Sequence, residues 1–338
     1  MKSVFLLFCL IFLLGGARID GAAFVWPTPS TAFAEGRPFT DWVQATASGI
    51  PESGLFGCVR NGGRRFHEGI DIAPVLPRRR GEATDPVFAF ADGRVAYINA
   101  SPGNSGYGRY VVLEHPQMQP AVYSLYSHLA RIDDSLTEGA VVVAGDTLGI
   151  MGRSAGGYTI PRERAHLHFE IGLRLSDSFQ EWFDRQGFGS ANHHGLWNGM
   201  NLVGLDPLDF LTQARDGRVS GVGEYFSGLP AGVVLRVSTD SIPDLLMRYP
   251  FLLQGSVPAE GLAGWEVVLT GWGLPLRLIP LRAEDFGEAT VPGSITIAAV
   301  DPEELGAYAC RQIVTLQGEQ ATLGRGGVRI LQLIFNFS

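Results

Sequence analysis

Short stretches with strand character, each ended by a turn signal, constrain the fold of this chain more than any other sequence feature. They extend from His67 to about Phe210, and glycines or pairs such as Asp92-Gly93 and Gly103-Asn104 separate them. This pattern predicts a mainly β fold. The predicted strands of this region cover residues 87–91, 94–99, 110–115, 121–128, 140–143 and 165–173.

The length of 338 residues suggests two domains once a leader is removed. We interpret residues 24–59 as an extended lead-in and residues 60–213 as the first domain. Residues 218–338 are interpreted as a second, small β-rich domain, which contains no recognisable chemical motif. That half could bind a partner or serve in packing.

The second domain has its own strand pattern and two predicted short helices. One helix is opened by Ser241 with Pro243 in its first turn, and the other covers residues 302–309. The predicted strands cover residues 233–238, 265–270, 274–281, 294–299, 312–317 and 329–337.

Residues 1–23 have the pattern of a signal peptide. Lys2 precedes an apolar run over residues 4–14, and Gly21-Ala22-Ala23 offers a cleavage site. The run is short for a membrane span, although an uncleaved anchor is the alternative. We therefore expect export to the periplasm or the extracellular space, with no membrane span after cleavage.

The charge of the chain excludes several function classes. Its formal net charge of -8 makes it a poor candidate for binding nucleic acid. Lys2 is the only lysine, which excludes a P-loop lysine and a Schiff-base lysine.

Two cysteines, Cys58 and Cys310, remain outside the leader. An exported setting permits a disulfide between them, but two unpaired buried thiols are as compatible with the sequence.

The segment HLHFE carries the first chemical signal. In a strand, the side chains of His166, His168 and Glu170 project to one face, and those of Leu167 and Phe169 project to the other. Two imidazoles then reach one site. A polar strand face with hydrogen-bonded histidines is the alternative interpretation, and Glu170 could either support an imidazole or be exposed.

The segment HEGID adds His67 and Asp71, which a turn at Gly69 could bring together. Zinc catalytic sites commonly use three nitrogen or oxygen ligands and leave one position open. His67, Asp71 and one or both of His166 and His168 could form such a set, although spacing does not tell which histidine is the ligand.

Together these motifs resemble the M23 family of zinc peptidases, the lysostaphin and LytM type. The resemblance covers roughly residues 60–175 in order, through HEGIDIAP, DPVFAFADGRVAYI, YGRYVVLEH, YSLYSHLA, GDTLGIMGRSAG and RAHLHFEIG. It implies a mostly antiparallel β fold with the site in a long groove.

The resemblance also implies roles for five residues. His67, Asp71 and His168 would bind Zn2+, and His128 and His166 would be the catalytic histidines. The implied function is a secreted zinc metalloendopeptidase that hydrolyses peptide bonds in the stem or cross-link peptides of peptidoglycan through a metal-activated water.

Alternative functions remain open at this stage. The chain could be an M23-like, non-catalytic module that binds the wall or activates another hydrolase, or a peptidase with a protein substrate. It could also be an extracellular binding protein whose C-terminal half, residues 218–338, is the functional part, for example a module that binds the cell wall. Basic stretches on either side of HEGID could dock a carboxylate or simply be solvated; they contain Arg60, Arg64, Arg65 and residues 78–80. The sequence also leaves a minor metal role open for His193-His194, and it suggests that His115 is exposed.

Overall fold

A computed structural model describes residues 17–19, 22–286, 291–318 and 320–337. The predicted signal peptide, residues 1–23, lies mostly outside the described residues. Among the described residues, no helix has the length and apolar character required to cross a membrane.

The first part of the chain is built on a seven-stranded sheet with the order β11-β7-β8-β9-β13-β14, in which β5 also pairs with β13. A smaller sheet, β10-β12-β6, and the hairpin β3-β4 lie beside it. The elements of this part are β1 (Ala17–Ile19), β2 (Ala22–Phe24), β3 (Gly57–Arg60), β4 (Arg65–His67), β5 (Ile70–Ile72), β6 (Pro86–Phe88), β7 (Gly93–Asn99), β8 (Tyr110–His115), β9 (Val122–Ser127), β10 (Arg131–Ile132), β11 (Val141–Val142), β12 (Thr147–Ile150), β13 (Leu167–Arg174), α1 (Phe179–Arg185), β14 (Leu202–Leu205) and α2 (Pro207–Arg215).

The ladders of the large sheet are antiparallel, so the prediction of a mainly β, antiparallel fold is confirmed. Every residue of β13 is buried. Phe169 on one face belongs to the main core, while Tyr123 and Trp197 help form a second, smaller core. The strand that carries HLHFE is therefore covered on both faces.

The lead-in packs beside β5. The backbone N–H of Gln44 donates to the carbonyl of Asp71 at 2.9 Å, and the N–H of Ala73 donates to the carbonyl of Trp42 at 2.8 Å. Trp42 is buried in the main core. These contacts hold β5 between the lead-in and β13.

The second part of the chain contains a four-stranded antiparallel sheet, β17-β16-β15-β18, and the hairpin β19-β20. Its elements are α3 (Val222–Gly228), β15 (Val233–Val237), α4 (Leu245–Arg248), β16 (Gly264–Leu269), β17 (Pro275–Leu281), β18 (Ile295–Val300), α5 (Pro302–Ala307), β19 (Val314–Gln317), β20 (Gln320–Leu323) and α6 (Arg325–Phe335).

The prediction of a strand over residues 329–337 is wrong, because most of this segment belongs to the helix α6. The buried residues Gly327, Ile330, Leu331, Ile334 and Phe335 recur at helical spacing. Burial of this stripe outweighs the strand propensity of the isoleucines.

The predicted helix near Ser241 also differs. It begins only at Leu245, and Ser241 does not cap it. Pro243 disfavours helical geometry at the preceding residue, Ile242, which explains the late start. The helix predicted over residues 302–309 is present as α5, with Asp301 accepting hydrogen bonds from the N–H groups of Glu303 and Glu304.

The two parts of the chain share one hydrophobic core. Trp272 is buried, donates from Nε1 to the carbonyl of Gly204 at 2.8 Å and packs edge-on against Phe56 at 5.7 Å. Cys58 and Cys310 form a disulfide across the same boundary. The division into two domains remains a prediction, but residues 218–338 pack closely on the first part.

His115 is buried, not exposed as its position at a strand end suggests. Its Nδ1 donates to the carbonyl of Asp92, and its Nε2 accepts from the hydroxyl of Ser124, each at 2.7 Å. Burial lowers the pKa of His115 to about 4. The ring is therefore neutral in the folded protein at physiological pH.

We predict that loss of the disulfide destabilises the whole chain. The two cysteines are 252 residues apart, and removal of a native disulfide typically costs about 2–5 kcal/mol. Denaturant unfolding of Cys58→Ser/Cys310→Ser should show this loss. Reductant should lower the unfolding free energy of the wild type by the same amount and should not change that of the variant. A wild type whose unfolding free energy does not respond to reductant would contradict the prediction.

We also predict that His115 contributes to acid sensitivity. Its pKa is about 4 in the folded chain against 6.5 for an unperturbed histidine, so the unfolded chain binds more protons between these values. The resulting stability is present above pH 6.5 and decreases by about 3 kcal/mol as the pH falls to about 4. Unfolding free energies of His115→Gln should therefore fall less steeply with acidification. His193→Gln, at an exposed histidine, is the control, and equal slopes for all three proteins would refute the role.

Candidate metal centre

One strand pairing and one tight turn bring the predicted ligands together. His67 ends β4, Asp71 lies in the middle of β5, and His168 lies opposite Asp71 in the β5-β13 ladder. Gly69 makes the turn between β4 and β5. A Cβ there would lie 2.1 Å from the carbonyl oxygen of Phe169, so only glycine permits this close approach to β13.

The resulting cluster is compact and buried. His67 Nε2 lies 2.9 Å from His168 Nδ1, and each of these nitrogens lies 3.1 Å from Asp71 Oδ1. One ligand atom from each residue falls within 4.8 Å of the others. His166 is not part of this cluster. Sequence spacing alone did not distinguish His166 from His168, whereas the structure places His168 in the cluster.

The second nitrogen of each imidazole has its own partner. His67 Nδ1 donates to the carbonyl of Leu55 at 2.7 Å, and His168 Nε2 donates to Glu170 Oε1 at 2.8 Å. These bonds turn His67 Nε2 and His168 Nδ1 toward Asp71. Two imidazole nitrogens and one carboxylate oxygen, each oriented by a buried acceptor, are a donor set that fits a divalent metal such as zinc.

Glu170 is fully buried, so the alternative of simple exposure is wrong. It accepts hydrogen bonds from the hydroxyls of Tyr107 at 2.6 Å and Tyr123 at 2.9 Å, in addition to the one from His168. Burial alone would raise the pKa of Glu170, but these partners lower it. Burial would likewise lower the pKa of His168, whereas its bonds to Asp71 and Glu170 raise it to about 9.

His128 and His166 form the second half of the site. Their rings meet edge to face with centroids 4.7 Å apart, and His166 Nε2 lies 3.6 Å from Asp71 Oδ2. His128 Nδ1 donates to the carbonyl of Ser154 at 2.8 Å, and His166 Nδ1 donates to the carbonyl of Arg164 at 2.7 Å. Each ring therefore keeps its Nε2 free of a backbone partner.

His128 has an unusual backbone conformation, and the pKa values of both His128 and His166 are lowered. His128 has a φ of 63°, in the left-handed region that non-glycine residues rarely adopt, and its N–H donates to the carbonyl of Tyr107. Burial, followed by the nearby rings of His166 and His168, holds the pKa of His128 well below its usual range. Burial also lowers the pKa of His166, against the opposing charge of Asp71. Both rings are therefore neutral and able to accept a proton.

Arg60 makes a contact that the sequence did not predict. Its Nη2 donates to Asp71 Oδ2 and lies 2.7 Å from His67 Nε2. Burial would raise the pKa of Asp71, but His67, His166 and Arg60 outweigh it and hold this pKa well below its usual range. The guanidinium thus interacts with two of the three clustered residues.

The cluster opens into a groove of about 680 Å³. His67, His128 and His168 lie along it, which agrees with the expected groove. Arg311 and Arg329, from the second part of the chain, also line it, although no sequence motif marks them. Among the remaining histidines, His194 lines the groove with its Nδ1 bonded to the hydroxyl of Tyr110 at 2.8 Å.

Comparison with known proteins identifies the fold around this site. Residues 65–178 match the model of Peptidase family M23. No curated protein gives a significant match to the chain.

Several solved structures are similar to parts of the chain. A zinc-containing peptidase from Vibrio cholerae is 28% identical over 31% of this chain and 26% of its own, with a TM-score of 0.24. A proposed glycyl-glycine endopeptidase LytM from Ruminococcus gnavus is 26% identical over 47% and 51%, with a TM-score of 0.31. The catalytic domain of lysostaphin from Staphylococcus simulans is 19% identical over 54% and 97%, with a TM-score of 0.30. This chain spans about a quarter of the first of these proteins and about half of the second.

The family match contains HEGID, YSHLA and HLHFE, and with them every member of the buried cluster and both neighbouring histidines. The segment over residues 65–178, which holds this site, is therefore similar to peptidase family M23.

Proposed function

We propose that this chain is an exported zinc metalloendopeptidase that hydrolyses peptide bonds in bacterial peptidoglycan. The observation that carries the proposal is the convergence of His67 Nε2, Asp71 Oδ1 and His168 Nδ1 beside two further neutral histidines at a groove. The disulfide and the absence of a membrane-spanning helix among the described residues are compatible with export.

In this proposal His67, Asp71 and His168 hold the metal. The carbonyl of Leu55 and the carboxylate of Glu170 fix the orientation of the two imidazoles. When bound, zinc supplies Lewis-acid chemistry: it lowers the pKa of a coordinated water to about 7 and polarises a substrate carbonyl.

His128 and His166 handle protons and charge in the proposed reaction. Because their Nδ1 atoms are bonded to backbone carbonyls, both Nε2 atoms are available for proton transfer. Once Nε2 has accepted a proton from the water that attacks the amide, its N–H can donate a hydrogen bond to the negative charge that develops on the carbonyl oxygen. The fixed orientation of both rings means that this stabilisation requires little reorganisation.

The substrate class is proposed from the family similarity and from the shape of the site. An open groove accommodates an extended peptide. Within the family resemblance, peptidoglycan stem or cross-link peptides are the expected ligands. A protein substrate is the alternative within the same reaction type.

One observation favours a second function, a non-catalytic M23-like module that binds the wall or activates another hydrolase. Arg60 donates to Asp71 and lies against His67, so its guanidinium competes for the lone pairs that a metal would use. If this contact persists in solution, the site stays free of metal. The two functions differ in their predicted metal content.

The first prediction from this proposal is that the purified chain contains about one zinc ion, as expected for a set of three protein ligands. Chelation should abolish activity, and added zinc should restore it. Elemental analysis of the wild type, Asp71→Ala and Arg60→Gln provides the measurement. Asp71→Ala should lose the metal, whereas Arg60→Gln should bind it at least as tightly as the wild type.

Two outcomes of that analysis would contradict the proposal of a zinc-dependent enzyme. If only Arg60→Gln binds zinc, the natural chain is held in a metal-free form and the non-catalytic function is favoured. If the wild type is active without a bound transition metal, the metal assignment is wrong.

The second prediction separates metal ligand from catalytic histidine. His128→Ala should retain zinc but lose about 10²–10³-fold in turnover, because it removes a donor to the transition state and not a ligand. His168→Ala should lose both zinc affinity and turnover. Zinc content is measured alongside mass spectrometry of fragments released from peptidoglycan. Loss of zinc from His128→Ala with retention in His168→Ala would reverse the assigned roles.

A further inference from the structure

Two arginines from the second part of the chain line the groove of the metal centre. Arg311 follows Cys310 directly, so the disulfide to Cys58 holds it beside the β3-β4 hairpin that carries His67. Its guanidinium lies 4.6 Å from the ring of Phe66, the residue before His67. Its Nε donates to the carbonyl of Trp272 at 3.1 Å, which leaves both Nη groups available.

Arg329 reaches the same groove from α6. The N-terminus of this helix packs on the backbone near Arg311, since the N–H of Gly326 donates to the carbonyl of Gln312 at 3.0 Å. The Nε of Arg329 is buried and has no hydrogen-bond partner among the described residues. Across the same residues, neither guanidinium lies within ion-pair distance of a carboxylate.

The electrostatics of this pair are unfavourable without an additional anion. Burial, together with repulsion from Arg329, lowers the pKa of Arg311 to about 10, and Glu68 only partly opposes these effects. Burial also lowers the pKa of Arg329. Two half-buried like charges beside a single acidic residue are unexpected in a chain whose net charge is -8. A bound anion would offset both the repulsion and the missing hydrogen bond.

We propose that Arg311 and Arg329 form an anion subsite in the groove that binds a carboxylate of the peptide substrate. Only the identity of the ligand as a peptide rests on the proposed function. A guanidinium presents donors in a planar fork that matches a carboxylate, and charge-assisted bonds of this type are stronger than neutral ones. The subsite would favour peptides with a free carboxylate near the cleaved bond over the same peptides in amidated form.

This subsite gives residues 218–338 a role in substrate selection. Phe66 is the side chain on which Arg311 stacks, and it is adjacent in sequence to the predicted ligand His67. Because His67 and His168 line the same groove as this pair, a carboxylate bound there would share the groove with the candidate metal centre.

The test compares soluble peptidoglycan fragments with the same fragments after chemical amidation of their carboxylates. Binding is measured on the chelator-treated full chain, and turnover is measured on the zinc-loaded chain. The wild type should bind the free carboxylate form roughly 10- to 100-fold more tightly. Arg329→Gln should lose most of this preference and bind the amidated form as the wild type does. Arg277→Gln, at an exposed arginine on β17, is the matched control and should behave as the wild type.

The outcomes keep the two proposals apart. A carboxylate preference in the chelator-treated chain without turnover after zinc loading supports the subsite and rejects the peptidase function. Equal binding of both fragment forms by the wild type overturns the subsite, whatever the activity. If Arg329→Gln is unfolded by circular dichroism, Arg329→Met, which is also neutral, replaces it. A carboxylate preference that survives in the folded neutral variant also overturns the assignment.

Discussion

The antiparallel pairing of β5 with β13 is the interaction on which the site depends. It places Asp71 opposite His168, and the turn at Gly69 returns His67 to the same point. The pairing is held from the other side by the lead-in, whose backbone bonds flank Asp71. Because backbone ladders fix side-chain direction, the three side-chain atoms of the candidate metal centre converge in space.

Polar groups buried around this pairing are satisfied in a connected network. Glu170 accepts from His168, Tyr107 and Tyr123, although it lies in a strand that is buried on both faces. A buried carboxylate is costly unless its hydrogen bonds are complete. The network therefore both stabilises the charge and fixes the orientation of the imidazole that it supports.

The second part of the chain is joined to the wall of the groove. The disulfide between Cys58 and Cys310 connects it to the hairpin that carries His67, and Trp272 inserts into the shared core. A cell-wall or partner-binding role for this half remains compatible with these contacts. However, Arg311 and Arg329 of this half line the groove, so they would lie beside a substrate bound there.

The sequence by itself determined the features that depend on local pattern. Strand alternation in HLHFE predicts that His168 and Glu170 share a face, and the ordered motifs predict the antiparallel M23 fold and the cluster of His67, Asp71 and His168. The catalytic roles of His128 and His166 stay predictions. The strand predicted over residues 329–337 is mostly the helix α6 instead, because the apolar residues of this segment recur at helical spacing and are buried.

Tertiary structure alone decided the contacts between residues that lie far apart in the sequence. The bond from His67 to Leu55, the contact of Arg60 with Asp71 and the burial of His115 leave no local signal. The same holds for Cys58 with Cys310 and for the arrival of Arg311 and Arg329 at the groove. Local propensities encode the direction of a side chain within its own strand or helix, whereas the partner it meets is set by long-range packing of the whole chain.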